Sequence, residues 1–348
     1  MLKGVLVLVG FLVVYLAAWP VPIAPVVWTP LPTPALEGPY ARNDRLAAVR
    51  VVARGAIGPE ATAIDSQGRV YAGLADGRIV RLAGEGFETV VSTGGRPLGM
   101  AFDGAGRLIV ADALKGLLAV GPAGRIETLV SSYEGQPLGF PDDVALGSDG
   151  TIYFSDAARG LGYGHAETIV LEHRPTGRLF AYHPAERRLQ LLADRLYFAN
   201  GVAVSADDTY LLVNETSNYR VLRYWLAGPH RGRLEPFAEN LPGFPDNVTR
   251  SPRGIYWVAL YSPRVAAADA LAGWPSLRKA VLRLPRWLRP AAIHHAFVLG
   301  LDAEGHVVHN LQDASPMAYA PVTSAREHEG RLYLGSLRHD GIAVLDAP

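Results

Sequence analysis

The 348-residue chain contains no cysteine. That single absence removes disulfides, thiolate nucleophiles, and zinc or iron–sulfur sites built on cysteine. Net charge is missing as well: Lys plus Arg and Asp plus Glu each number 33. No global field therefore draws the protein toward nucleic acid or anionic surfaces. No G-x-S-x-G elbow occurs, and the serines fall in turn phrases, so serine catalysis has no support. The glycines near Gly84 and Gly94 follow no strand-to-helix transition, so a phosphate-cradling loop is lacking too. Helical stretches between strands are scarce, which argues against a parallel α/β sheet. What remains is an ordinary globular composition, 49% hydrophobic and 19% charged, whose expected partners are small molecules.

Only the N-terminus carries a long apolar run, from Gly4 to Trp19, with Lys3 before it and prolines at 20, 22 and 25 after it. A spanning helix wants about 20 apolar residues, so the run is short. A signal peptide's apolar core and a buried core helix are the alternatives, but no small-x-small cleavage site follows Ala17 and Ala18. Residues 1–28 are expected to be a membrane anchor or uncleaved signal, and residues 29–48 a Pro-rich stalk. Lys3 on the short side predicts a single-pass topology with the domain on the non-cytoplasmic side, whether periplasmic, extracellular or luminal.

The rest of the chain repeats one phrase, a polar turn near Gly that launches an apolar strand. It reads DSQGRVYAG from Asp65, DGAGRLIVAD from Asp103, GSDGTIYFSD from Gly147, SADDTYLLVNE from Ser205, SPRGIYWVAL from Ser251 and EHEGRLYLGS from Glu327. Most copies precede a second strand of the same kind, such as DGRIVRL from Asp76. Short antiparallel strands at a period of roughly 40 to 60 residues predict an all-β, six-bladed propeller over 49–348. One stretch, about 264–299, looks helical, with Arg278, Lys279, Arg283, Arg286 and Arg289 among Leu and Trp. It is expected to be a cap over one propeller face; resting on a membrane surface is its other reading.

Blades converge on a channel, so chemistry should come from residues just before each phrase. Glu60 in IGPEATAID, Asp142 and Asp143 in FPDDVAL, Asn200 in YFANGVAVS, and Asp246 with Asn247 in GFPDNVTR share one grammar. An aromatic or small residue comes first, then an acid or amide, then an apolar strand. Any one of them alone would be expected to cap local backbone. Several carboxylates converging in an apolar channel would repel unless a cation neutralises them, and their oxygens are hard ligands of the kind that Ca²⁺ takes.

These segments, in order with LADGRIVRL, RPLGMAFD, IVADALKGLLAV and HEGRLYLGS, resemble the strictosidine synthase-like and adipocyte plasma membrane-associated proteins, within the wider gluconolactonase, paraoxonase and diisopropyl-fluorophosphatase superfamily. The resemblance runs from about Ile57 to the C-terminus, and the adipocyte protein shares the N-terminal anchor. It implies a six-bladed propeller with a catalytic Ca²⁺ held by Glu60, Asn200 and Asp246, with Asn247 completing an Asp-Asn pair. Relatives commonly have Asn-Asp in the third blade where this chain has Asp142–Asp143, an added negative charge that bears on metal identity. Asp112, in VADALKG, either faces the channel or serves a turn.

Hydrolytic relatives open lactones, aryl esters or phosphotriesters, the metal polarising the oxygen while a carboxylate or activated water attacks; Asp246 is expected in that second role. The expected function is Ca²⁺-dependent hydrolysis of small esters or lactones. The rivals are a non-enzymatic binding propeller with a structural metal and a condensing enzyme like strictosidine synthase. The last needs a glutamate near the start of the last blade, where this chain has Thr323. His294 and His295 point apart, with surface or capping roles expected; nothing in their spacing selects His165, His173 or His183.

Overall fold

The computed structural model describes residues 2–348, and in them the six repeat phrases become six blades. Blades 1 to 5 cover residues 62–92, 97–130, 141–196, 199–238 and 243–313; blade 6 covers 324–346. Each is a four-stranded antiparallel sheet, and the fourth strand of blade 6 is Arg50–Val51, paired with Val344 and Ala343. Joining the start of the propeller to its end closes the ring and leaves no open flank between first and last blades.

The repeat phrase is the hairpin from the inner strand to the second strand. Asp65 Oδ1 accepts the N–H groups of Gln67 and Arg69, and Asp103 Oδ1 those of Ala105 and Arg107. Each aspartate's other oxygen takes the guanidinium of the arginine four residues on. The turn glycines Gly68 and Gly106 have φ of +75° and +77°, which a Cβ would disfavour.

Apolar side chains fill the wedges between neighbouring blades. One such cluster joins Ile109 and Leu117 of blade 2 to Phe154 and Phe180 of blade 3. Another joins Leu212 and Val221 of blade 4 to Val258 and Phe297 of blade 5. The core is thus a ring of interfaces, which leaves the axis free for polar groups.

Helix α1 spans Leu2–Ala18, α2 Ala166–Glu172, α3 Ala266–Ala270 and α4 Pro275–Arg283. Helix α2 is inserted in blade 3, and α3 and α4 in blade 5. The blade 5 insertion ends at His295, short of the expected 299, because AFVL already belongs to the strand Ala296–Leu301. Among the described residues, no helix is long and apolar enough to cross a membrane; α1 has 17 residues.

The segment expected as a stalk (29–48), and the end of the expected anchor just before it, lie along the folded body. Ala24 N–H donates to Glu172 (2.8 Å), Arg264 donates to the Leu31 carbonyl (3.0 Å) and Asn240 to that of Pro32 (3.1 Å). The Trp28 ring stacks on His173 with centroids 3.8 Å apart. Leu46 is fully buried in the core between blades 5 and 6. Proline removes backbone donors, so between the prolines the N–H groups of Ala24, Val26 and Trp28 make the backbone contacts, joined by the Leu31 and Pro32 carbonyls.

Candidate metal centre

The inner strands begin Thr62, Pro97, Pro141, Ala199, Gly243 and Ser324. In blades 2 to 5, pairing with the second strand skips at the same place: between Pro97 and Met100, Pro141 and Val144, Ala199 and Val202, and Pro245 and Val248. Such bulges re-aim side chains. The first bulged residue is Leu98, Asp142, Asn200 or Asp246; Glu60 precedes the inner strand of blade 1. Four sequence-predicted residues, Glu60, Asp142, Asn200 and Asp246, therefore occupy one level of the ring, together with Asn247 and Asp143 from the second bulged position.

Carboxylate oxygens of Glu60, Asp142 and Asp246 lie within 4.8 Å of one another, all buried. Asn247 Nδ2 donates to Glu60 Oε1 at 2.5 Å. Glu60 Oε2, Asn200 Oδ1 and Asn247 Oδ1 are buried without a hydrogen-bond partner. Asp143 is engaged otherwise: Oδ1 accepts from Val144 N–H (2.8 Å) and Oδ2 from Val202 N–H (2.9 Å), which ties blade 3 to blade 4.

Burial pushes the Glu60 carboxyl well up, and the Asp246 charge adds to it, while Arg96 opposes. Asp142 is raised well above its ordinary value by burial, then by Glu60 and Asp246. Burial takes Asp246 to about 8, against the Asn200 amide, and Asp143 to about 6, against the N–H groups of Val202 and Val144. Three mutually repelling carboxyls and three orphaned oxygens form a set that a hard divalent cation would satisfy, because it neutralises the acids and fills the acceptors together. The residues present fit such an ion.

Asp112 does not join this set. Its Oδ1 accepts the N–H groups of Arg96, Leu114 and Lys115, and its Oδ2 accepts the Thr93 hydroxyl. Asp156 and Glu215 repeat the device, accepting Phe140 N–H (2.6 Å) and Tyr197 N–H (2.7 Å). These acids end the second strands of blades 2, 3 and 4 and tether the segments that enter the inner strands. His295, expected at the surface or in a cap, is instead buried with its ring against Gln312 Oε1 at 3.0 Å.

Sequence reasoning passed over Arg96. It is fully buried and donates to the carbonyls of Gly58 (2.9 Å) and Gly73 (3.4 Å) and to the Tyr163 hydroxyl (3.2 Å). Its charge offsets Glu60 and Asp142. The signal was readable: Arg96 stands before Pro97, in the slot that Phe140 and Phe244 fill in blades 3 and 5. Tyr261, also missed, is raised by burial and feels the Asp246 charge.

A separate cavity of about 300 Å³ opens between blades 3 and 4, lined by Asp149, His183, Asp208, Tyr224 and Arg231 among others. It lies at the hairpin end of the inner strands, opposite the carboxylates, since Pro141 pairs with Asp156 while Leu146 pairs with Ile152 beside the turn.

The family model described as strictosidine synthase matches residues 142–229, and that of the strictosidine synthase-like N-terminal region matches residues 38–82. Strictosidine synthase-like protein 10 of Arabidopsis thaliana is 36% identical over 324 residues, covering 84% of this chain and 86% of its own. The adipocyte plasma membrane-associated protein of Danio rerio is 32% identical over 351 residues, covering 93% of this chain and 84% of its own. Among solved structures, a gluconolactonase of Xanthomonas campestris matches with a TM-score of 0.64 at 17% identity, covering 86% of this chain and 89% of its own. A calcium-binding regucalcin of Agrobacterium tumefaciens matches with a TM-score of 0.57 at 12% identity, covering 85% and 94%. At such identities these two likenesses speak for the fold alone.

Proposed function

Because the chain belongs to the strictosidine synthase-like family, we propose that it is a hydrolase of small esters or lactones, working at a Ca²⁺ site in the propeller channel. One observation carries the reading: Glu60, Asp142 and Asp246 bring buried carboxylates together beside the unpartnered oxygens of Asn200 and Asn247. Structural ion pairs would pair such acids with cations, yet Arg96 spends its hydrogen bonds on Gly58, Gly73 and Tyr163.

Glu60, Asp142, Asn200, Asp246 and Asn247 would hold the ion. When bound, it supplies a Lewis acid for the carbonyl oxygen of the substrate. Asp246 accepts the proton of the attacking water at a carboxylate oxygen and returns it to the leaving alkoxide oxygen as the acyl C–O bond breaks, and the bulge between Pro245 and Val248 sets that carboxylate's aim. Asn247 orients Glu60 through its 2.5 Å bond. The condensing reading is disfavoured by blade 6, where Thr323 is buried and gives its hydroxyl to the Glu60 carbonyl at 2.6 Å, leaving no carboxylate at that place.

We also assign lipid contact to α1, whose residues are exposed or half-buried and apolar apart from Lys3. As a helix it is about 26 Å long, a little under the roughly 30 Å hydrocarbon core, and Trp19 follows at its end as an interfacial anchor. Lys3 then stays on the cytoplasmic side and the propeller on the other. The name of the Danio relative supports membrane association.

The test is turnover of aryl esters and lactones by the full chain in detergent, first with excess Ca²⁺ and then with chelator. Truncation at Leu36 is unsuitable, since residues 24–32 bond to the folded body. Hydrolysis lost on chelation and restored by Ca²⁺ supports the reading. Metal binding without turnover on any of these substrates overturns it in favour of a binding propeller.

A further inference from the structure

The insertion in blade 5 ends in a cap whose outer surface is apolar and cationic at once. Trp274 and Trp287 are 63% and 79% exposed, and Leu277, Leu288 and Ile293 are exposed beside them. From Pro275 to His295 there is no acid, but there are Arg278, Lys279, Arg283, Arg286 and Arg289. Arg278 points inward, donating to the carbonyls of Leu171 and Ala272. The face this leaves outward combines exposed Trp and Leu with the exposed Arg286. Large exposed aromatics in a soluble domain mark an interaction site, and the added positive charge selects an anionic one.

Two further relationships choose the occupant. Arg283 donates to the carbonyls of Trp19 and Leu16, both at 2.6 Å, and Tyr15 donates to the Arg283 carbonyl at 3.0 Å. The cap is therefore joined to the C-terminal end of α1, where an inserted helix would leave the bilayer. The cap also lies at the carboxylate end of the propeller: Gly243 pairs with Pro263, where the insertion departs, and Pro141 pairs with Asp156, after which α2 follows.

We propose that the outer face of the blade 5 cap, through Trp274, Leu277, Trp287 and Leu288 with Arg286, docks on the anionic lipid surface that α1 enters, so that the channel mouth looks toward the bilayer and admits substrates partitioned from it. The proposal rests on lipid contact by α1. Tryptophan rings settle at the headgroup level, and Lys and Arg reach the phosphates along their aliphatic stems. Substrates would then be esters or lactones with apolar tails.

The absence of cysteine makes the test clean, because one introduced thiol can be labelled alone. An environment-sensitive fluorophore is placed in the full chain at Trp287→Cys, at Glu186→Cys on the opposite end of the propeller, or at Val9→Cys within α1. Each protein is mixed with vesicles of phosphatidylcholine and phosphatidylglycerol, or of phosphatidylcholine alone, with brominated lipid as quencher. The proposal expects a blue shift and lipid quenching at 287 in anionic vesicles, a weaker effect in neutral ones, and none at 186. A label at 9 that enters lipid while 287 stays in water overturns the docking and leaves the anchor standing. Failure of both to enter overturns both. Entry at 287 that is equal in neutral vesicles overturns the anionic preference. A concentration-dependent blue shift at 287 without vesicles overturns the proposal by showing that a second copy covers the face. Arg286→Glu should reduce the shift at 287 without altering ester turnover of a soluble substrate.

Discussion

Asn247 places its amide nitrogen 2.5 Å from Oε1 of Glu60, so a residue of blade 5 holds the carboxylate of blade 1 across the closed ring. The same asparagine's Oδ1 is left without a partner. Its backbone N–H is fixed by the Thr323 carbonyl at 3.0 Å, so the side chain has little freedom to turn away. Asn247→Ala removes both the orienting bond and one acceptor. By analogy with orienting partners in metal sites, Ca²⁺ affinity should fall about 10–100-fold. Calorimetric titration with Ca²⁺ would read this; unchanged affinity would remove Asn247 from the site. Glu60→Gln, which deletes a charge, should weaken binding further.

The clustered acids also make a pH prediction for the chelated protein. Asp246 has its ordinary value of 3.8 when unfolded and about 8 when folded, raised by burial. Between these values the unfolded chain has released a proton that the folded one still binds. Stability therefore falls as pH rises from about 4 to about 8, and Glu60 and Asp142, raised in the same direction, steepen the loss. Saturating Ca²⁺ should flatten the profile, because the ion favours the ionised forms. Thermal unfolding across this range, with chelator and with Ca²⁺, reads both curves; a chelated protein that gains stability toward pH 8 would contradict the assignment.

Much of this was legible in the sequence because it is local. Each of the six phrases contains its own polar turn and apolar strand, so the blade count could be read from them. Glu60, Asp142, Asn200 and Asp246 could be found because each stands at a fixed offset before a phrase. What was not legible depends on pairing between distant segments. The grammar of VADALKG resembles a channel position, but its Asp112 faces its own turn and the N–H of Arg96. The prolines of 29–48 suggested a tether, whereas the contacts with Asn240 and Arg264 that hold it come from more than 200 residues away. His295 finds Gln312 only because two strands of blade 5 align.

Gly201 tests how closely the inner strands approach. A Cβ built there would lie 2.2 Å from the backbone nitrogen of Val248 and 2.6 Å from Asn247 Cα. Backbone cannot move aside as a flexible side chain does. Gly201→Ala should cost about 1–3 kcal/mol or more as overpacking and should push Asn247 off Glu60. Urea unfolding with a parallel Ca²⁺ titration reads the two effects. Loss of stability with intact affinity would mean that the strain is relieved away from the site.

Asp156 offers a way to disturb the centre without touching it. Its Oδ1 accepts the N–H groups of Gly139 (3.0 Å) and Phe140 (2.6 Å), which precede Pro141 and Asp142, while Oδ2 takes the Arg178 guanidinium. Both partners are buried. Burial raises the Asp156 carboxyl even with these donors opposing, so the pair is a costly arrangement kept by its geometry. Arg178→Met leaves an uncompensated buried carboxylate and should cost about 3–5 kcal/mol. Asp156→Asn keeps one acceptor oxygen for Phe140 but loses the charge that Arg178 requires. If the tether positions Asp142, both variants should weaken Ca²⁺ binding as well as stability, with Asp156→Asn the milder on affinity because its remaining oxygen can still hold the Phe140 N–H. Equal affinity in all three proteins would confine Asp156 to folding and leave the bulge after Pro141 as the sole determinant of where Asp142 points.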